Sequence, residues 1–256
     1  INIGGWSIYN YDKRANGVID FPRVLQVSSN VGMVKIMSKL KPSKYWDWLH
    51  KLGLDVTPNT DLPGAVAGHL KSKKKFLSQP IEQATASYGQ GFSLTPIKLA
   101  QLHALIANGG YLVKPHITRG LGIGETLLTP ITSNGNKLLS SEVTNTVLTW
   151  MESVVEAGSG RGVKTPGYRI GGKTGTAQKA MNGVYKPGAK ICSFVATLPI
   201  GDPRYVVLVV IDEPKGENAY GSTVAVPVAK QIIDGLLVLE RIPPSREKAY
   251  SQPAEE

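Results

Sequence analysis

Apolar residues recur at helical spacing as far as residue 157, between stretches rich in proline, glycine and polar residues. Residues that favour the start of a helix precede several of the apolar runs: Ser29 or Asn30, Ser43, Thr95-Pro96 and Ser140. The pattern predicts helices from just after residue 30 to about residue 40, and over 44–52, 80–87, 95–107 and 140–156. Residues 1–27 and 54–79 are expected to be irregular, and 111–137 should form short extended pieces.

After the glycine-rich stretch 158–162 the pattern changes to that of strands, over about 169–178, 190–198 and 205–212. Short turns join them, including Asn182-Gly183, so the strands should be antiparallel neighbours. Because 206–211 is apolar at every position, we expect a central strand covered on both faces. A helix from Ser222 or Thr223 through Leu239 should pack on the sheet. The order predicts an α+β (mixed α/β) domain over 1–242, an antiparallel sheet covered by helices, with a flexible tail over 243–256.

Composition narrows the classes of function for this chain of 256 residues. The net charge of +10 includes the run 71–75, which is typical of a solvated loop and could favour phospholipid headgroups or a cell-wall polymer. No aromatic residue interrupts that run, so nucleic acid has no support as a partner. The only cysteine, Cys192, excludes an intrachain disulfide, and the scattered histidines predict no metal site and no cofactor. The chain opens on Ile1, which we interpret as a fragment of a longer protein.

Two motifs compete around Lys173. The stretch from Gly167 to Thr174 matches the nucleotide-binding pattern G-x-x-x-x-G-K-[ST], and 207–212 looks like an apolar strand ending in an aspartate that could hold magnesium. A phosphate-binding loop must follow a buried strand and open a helix, however. The residues before Gly167 are polar and glycine-rich, and Gly175 follows the motif at once. Context therefore argues against a nucleotide hydrolase.

Acyl transfer fits the same residues better. Ser28-Ser29-Asn30 and Lys173-Thr174-Gly175 match the Ser-x-Asn and Lys-Thr-Gly motifs of penicillin-binding proteins and serine β-lactamases. Together with the intervening segments, which include Tyr88-Gly89-Gln90-Gly91, Gly167-Tyr168-Arg169-Ile170 and Tyr220-Gly221-Ser222, the chain resembles the transpeptidase domain of class B penicillin-binding proteins along almost all its length. Among these it is most similar to the division-type, FtsI-like branch. The fold implied is that of penicillin-binding proteins and serine β-lactamases, incomplete at the N-terminus.

The resemblance implies a D-Ala-D-Ala transpeptidase that works through a serine acyl-enzyme. It assigns catalytic roles to Ser28, as a proton relay, and to Lys173, as a fixed cation. Substrate binding falls to Asn30, Thr174, Gly175 and Thr176, with the N–H near Thr176 in the oxyanion hole. The implied ligands are peptidoglycan stem peptides and β-lactams. The implied partners are division-complex membrane proteins on the periplasmic side of the inner membrane.

The family's nucleophilic Ser-x-x-Lys motif precedes Ser-x-Asn, and it is missing before Ser28. The three Ser-x-x-Lys strings of the chain, at Ser38, Ser72 and Ser245, all lie downstream. We therefore expect this chain alone to be inactive, with apolar surface exposed on the sheet and near 31–37. The leading hypothesis is a piece of a transpeptidase. A non-catalytic binding module, a hydrolytic relative and the nucleotide hydrolase remain alternatives.

Overall fold

The structure, a computed structural model, describes residues 1–124, 126–130, 135–181 and 184–245. The first two thirds are mainly helical, with helices α1 Phe21–Gln26, α2 Asn30–Met37, α3 Pro42–Lys51, α4 Lys73–Ser78, α5 Pro80–Ser87, α6 Pro96–Ala107 and α7 Ser141–Ala157. Short antiparallel pairs accompany them, formed by strands β1 Asn2–Ile3 with β2 Trp6–Ser7, β3 Tyr111–Leu112 with β6 Asn136–Lys137, and β4 Gly120–Ile123 with β5 Thr126–Pro130. The last third consists of strands β7 Gly171–Met181, β8 Val184–Leu198 and β9 Tyr205–Asp212, and helix α8 Val226–Leu239. The mixed α and β class is confirmed.

The main sheet has the strand order β7-β8-β9, and both pairs are antiparallel. Phe194 on β8 lies opposite Val209 on β9, and both face the apolar side of α8. Phe194, Ala229 and Ile233 have no exposed surface. Each large side chain buried in this way contributes roughly 1.5–3 kcal/mol. This layer of β8, β9 and α8 is the core that supports β7.

The expectation that 206–211 forms a central strand is wrong within the described residues. β9 lies at the edge of the three-stranded sheet, and β8 is the central strand. Burial alternates along β9, since Val207 and Val209 face α8 whereas Val210 is 38% exposed. The continuous apolar run thus predicted a strand correctly but could not predict its position in the sheet, because Val and Ile favour edge strands and central strands alike.

Two predicted helix caps are confirmed, but Ser43 is not a cap, because it lies inside α3, whose N-cap is Lys41. Thr95 accepts from the N–H of Lys98, and Ser140 from the N–H of Val143, as the sequence predicted. Two six-residue helices lie where irregular chain was expected. Asp20 caps α1 and Ser72 caps α4. Both helices are too short to show a hydrophobic period, so their capping residues were the only helix signal in the sequence.

The boundaries of α2 and α3 differ slightly from the prediction. α2 ends at Met37, and α3 begins with Pro42 in its first turn. Val34 of α2 is buried in a small cluster with Ile8 and Ala84, while the other apolar side chains of α2 are half-buried. The expected exposure near 31–37 is thus partial.

Helix α8, with the turn that precedes it, forms a segment Gly221–Leu239 that is long and apolar enough to cross a membrane. Its inner face is built into the core through Ala229 and Ile233, and a core helix of a folded domain passes the same test. Beyond it, the Ser245 hydroxyl accepts from the N–H of Arg169 at 2.6 Å. The rest of the predicted tail, 246–256, and the turn Asn182-Gly183 lie outside the described residues.

Candidate active site

A serine and a lysine that are 145 positions apart meet at one edge of the sheet. Ser28 lies in the turn between α1 and α2, and Lys173 is the third residue of β7. The Lys173 Nζ donates to the Ser28 Oγ at 2.7 Å. It also donates to the backbone oxygen of Thr174 at 2.9 Å. The two motifs of the sequence therefore form one polar site.

The Lys173 side chain is partly buried at this site. Burial lowers the pKa of Lys173 from its ordinary 10.5 to about 8, because desolvation penalises the charged form. Lys173 is therefore still largely protonated at neutral pH, and it gives up its proton far more readily than a surface lysine. An ammonium group of this kind can polarise a hydroxyl and also exchange a proton with it.

Ser28 adopts a strained backbone conformation. Its φ is +55°, in the left-handed region that non-glycine residues seldom occupy. Hydrogen bonds from the N–H of Ser28 to the Leu25 oxygen (3.2 Å) and from the N–H of Ser29 to the Val24 oxygen (3.0 Å) hold the turn against the end of α1. Such strain costs on the order of 1 kcal/mol or more and is often found at functional sites.

The other residues of the Ser-x-Asn motif have distinct partners. Ser29 caps α2 by accepting from the N–H of Gly32 at 3.0 Å. The Asn30 Nδ2 donates to the Tyr9 backbone oxygen at 2.9 Å. This bond uses one amide hydrogen, and the amide oxygen of Asn30 takes no part in it. Ser29 is thus the helix cap, while Ser28 faces Lys173.

The threonines of β7 are tied to neighbouring segments. The hydroxyls of Thr174 and Ser159 lie 2.6 Å apart. The Thr176 Oγ1 accepts from the N–H of Gly221 at 3.0 Å. A hydroxyl has two lone pairs and one proton, so accepting one bond does not exhaust it.

Close backbone packing joins β7 to the start of α8. A methyl group on Gly221 would lie 2.5 Å from the Ser193 oxygen and 2.6 Å from the Gly175 oxygen. Only glycine permits this approach. Gly221 also begins a single π-helical turn, Gly221–Ala225, a feature frequently found at functional sites. Of the two expected caps, the Thr223 hydroxyl accepts from the N–H of Tyr220 at 2.9 Å at the start of this turn, while α8 itself begins after Ala225. Gly221 in addition supports the Lys-Thr-Gly strand.

Two contributors to the site were not predicted from the sequence. Asn10 bonds to the Ser28–Asn30 turn, and Ser159 pairs with Thr174. The segment 220–222 was noted in the sequence, but not the bond from the Gly221 N–H to Thr176. Ser159 belongs to the glycine-rich stretch 158–162, which gives only a weak signal. Asn10 had no such signal, because it lies in a polar loop without periodicity.

The phosphate-loop alternative disagrees with the structure. A helix would have to begin after Thr174, but the chain continues as strand β7 as far as Met181. Of the Ser-x-x-Lys strings, Ser38 ends α2 and Ser72 caps α4. Lys248, the partner of Ser245, lies outside the described residues.

Comparison with known proteins decides the family. The profile of the penicillin-binding-protein transpeptidase domain matches residues 1–234. The chain belongs to this family. The sequence is 42% identical over 247 residues to a protein of Mesostigma viride called peptidoglycan D,D-transpeptidase FtsI homolog. The match covers 90% of this chain and 41% of the algal protein. The relatives support the class B, FtsI-type branch inferred from the motifs.

Solved structures agree with that assignment. The transpeptidase domain of penicillin-binding protein 3 from Burkholderia pseudomallei is 35% identical, with a TM-score of 0.79, over 91% of this chain and 68% of that chain. Penicillin-binding protein 3 from Mycobacterium tuberculosis, solved with ampicillin, gives a TM-score of 0.85 at 26% identity, over 97% of this chain and 57% of that one. This transpeptidase-family chain thus spans about two fifths of the length of its algal relative and more than half of the solved chains.

Proposed function

We propose that this chain is part of the transpeptidase domain of a peptidoglycan D,D-transpeptidase, which cross-links stem peptides through a serine acyl-enzyme. The observation that carries the proposal is the 2.7 Å hydrogen bond from the Lys173 Nζ to the Ser28 Oγ. It joins the Ser-x-Asn and Lys-Thr-Gly motifs, as acyl transfer in this family requires. The names of the relatives support the same activity.

The nucleophile of the proposed reaction is a serine of a Ser-x-x-Lys motif elsewhere in the whole protein. In the attack on a D-Ala-D-Ala carbonyl, the leaving amine must receive a proton. The Ser28 hydroxyl can donate its own proton and accept one from Lys173, and therefore it can act as the relay. The lowered pKa of Lys173, about 8, brings that lysine closer to working pH than an ordinary one.

The substrate is proposed to bind along the unpaired edge of β7. β7 pairs with β8 on one side and is the edge strand of the described sheet, so an extended peptide can add to it as a further strand. Lys173 provides positive charge there for a substrate carboxylate, and Thr174 and Thr176 provide hydroxyls. Gly175 has no side chain, so a ligand can approach the backbone there. In this proposal the Asn30 amide hydrogen-bonds to the peptide group of the substrate, and the N–H near Thr176 stabilises the oxyanion. Losing one such donor costs roughly 3–4 kcal/mol in the transition state.

The same site is proposed to bind β-lactams, whose carbonyl mimics the scissile amide. Support comes from the related structures of Mycobacterium tuberculosis penicillin-binding protein 3, which were solved with aztreonam and with ampicillin. Two further assignments are proposed only because the chain belongs to the FtsI-type branch. They are partners among division-complex membrane proteins and a location on the periplasmic side of the inner membrane.

The test compares this polypeptide with the whole protein in labelling by a fluorescent penicillin. We expect covalent label on the whole protein and none on this chain, because the nucleophile lies outside it. Label on this chain would refute the assignment of the nucleophile. An unlabelled whole protein that still binds stem peptide would instead indicate a non-catalytic binding module.

A further inference from the structure

The Ser28–Asn30 turn is held by a loop, residues 9–16, that lies between β2 and α1. Asn10, near the start of this loop, is only 8% exposed. Its Oδ1 accepts from the Ser29 Oγ at 3.0 Å and from the N–H of Val31 at 3.2 Å. One buried amide oxygen therefore binds both the residue after Ser28 and the first turn of α2.

The other half of the Asn10 amide faces its own loop. The Nδ2 donates to the Arg14 oxygen at 2.8 Å and to the Asn16 Oδ1 at 2.7 Å. Both lone pairs and both protons of the side chain are thus engaged. A buried polar group that is satisfied on all sides fixes the relative position of the segments it joins.

The same loop contacts the motif at two further places. The Tyr9 oxygen accepts from the Asn30 Nδ2 at 2.9 Å, which orients that amide. The ring of Tyr11 lies 5.9 Å from the ring of Tyr220, next to the Gly221 that bonds to Thr176. The loop therefore extends from the Ser-x-Asn turn to Tyr220, which neighbours the contact between Gly221 and Thr176.

Ser28 needs such support because its left-handed backbone is unfavourable without it. We infer that Asn10 is a positioning residue, which sets the Ser28 hydroxyl and the Asn30 amide opposite Lys173. It acts through Ser29 and Val31 and does not touch the reacting atoms. The inference rests on the proposed function, which gives Ser28 and Asn30 their roles.

The test uses the whole protein with the variants Asn10→Ala and Asn10→Asp. Alanine removes all four hydrogen bonds. Aspartate keeps an oxygen that accepts from Ser29 and Val31 but loses the donations into the loop. Asn108→Ala is the matched control, because Asn108 also makes two local hydrogen bonds, both to the backbone of Tyr111 at 2.9 Å, at the end of α6. Each variant is measured for stability, for the acylation rate with a fluorescent penicillin, and for the titration of Lys173 by NMR.

We expect Asn10→Ala to slow acylation by about 10- to 100-fold, because a misplacement of about 1 Å costs that much. The pKa of Lys173 in this variant should be closer to the ordinary 10.5, since a looser turn admits water to the ammonium. Asn10→Asp should be as unstable as Asn10→Ala yet acylate within severalfold of the wild type. Asn108→Ala should lower stability without changing the acylation rate or the titration of Lys173.

The inference is overturned if Asn10→Ala leaves both the rate and the Lys173 titration unchanged, or if both Asn10 variants lose activity only in proportion to stability. Failure of the proposed function looks different. In that case the wild-type whole protein is not acylated, while the Lys173 titration still reports whether Asn10 holds the turn.

Discussion

The desolvated Lys173 predicts an unusual dependence of stability on pH. Its pKa is about 8 in the folded chain against an ordinary 10.5. In the window between these two values the unfolded chain binds more protons than the folded one, so stability rises with pH. Below pH 8 both states are protonated at this site, and the full penalty of burying the charge applies.

The magnitude follows from the two pKa values. A shift from 10.5 to about 8 corresponds to a penalty of about 3 kcal/mol at neutral pH. Between pH 7 and pH 10 about 2.5 kcal/mol of it should be relieved. Lys173→Met keeps the length of the side chain and has no proton to lose, so the difference in unfolding free energy between wild type and variant isolates this lysine.

The assay is urea unfolding of both proteins at pH 7, 8, 9 and 10. The unfolding free energy of the wild type should rise relative to that of Lys173→Met by about 1 kcal/mol per pH unit above pH 8. Lys179→Met, on the same strand, is the control. Lys179 is paired with Asp212 and Glu213, and these pairings raise its pKa, so its contribution to stability is lost only as pH rises through that raised value. A flat difference between wild type and Lys173→Met would show that the ammonium is hydrated and would refute the desolvated site.

Two further substitutions test the packing around the site. Gly221→Ala should destabilise the fold by about 1–3 kcal/mol in urea unfolding, since its methyl group would meet backbone oxygens of β8 and β7 at 2.5 and 2.6 Å, respectively. Gly235→Ala, in the following helix α8 and with nothing within 4 Å of the added methyl group, should instead stabilise the fold by about 0.5–1 kcal/mol. Equal losses for both variants would contradict this packing. Arg169→Met removes the bidentate partner of Glu152. The Glu152 side chain is 10% exposed and that of Arg169 35%, so the loss should be about 1–3 kcal/mol. Adding Glu152→Gln to Arg169→Met should restore part of the lost stability. If the double variant loses as much stability as the two single variants added together, the two residues are not coupled.

Helices with strong local signals were predictable from the sequence. Thr95-Pro96 and Ser140 define their helices because a cap and a first-turn proline act within one turn of the chain. α1 and α4 were not predictable from periodicity, as each has only six residues. Within the sheet of the described residues β9 is an edge strand and not the central strand that was predicted, because strand neighbours depend on contacts that its own residues do not encode.

The candidate site was predictable to a different extent. Ser28 and Lys173 were brought together by motif resemblance, since nothing local to either residue indicates a contact across 145 positions. The supporting contacts of Asn10 and Ser159 were not predictable, because a single polar residue in a loop looks the same whether it binds water or a buried partner. Burial decides which of the two applies, and burial is a property of the whole fold.

These supporting contacts explain how an unfavourable site persists. Lys173 is desolvated and Ser28 is strained, so each opposes folding by itself. Hydrogen bonds from Lys173 to Ser28, and from Ser29 and Val31 to Asn10, offset those costs only when the turn and the strand are both in place. The stability of the site and the arrangement needed for proton relay therefore depend on the same few contacts. Replacing Lys173 itself by an uncharged residue, as in Lys173→Met, should therefore stabilise the protein at neutral pH while impairing the chemistry, which is the trade-off expected of an active site.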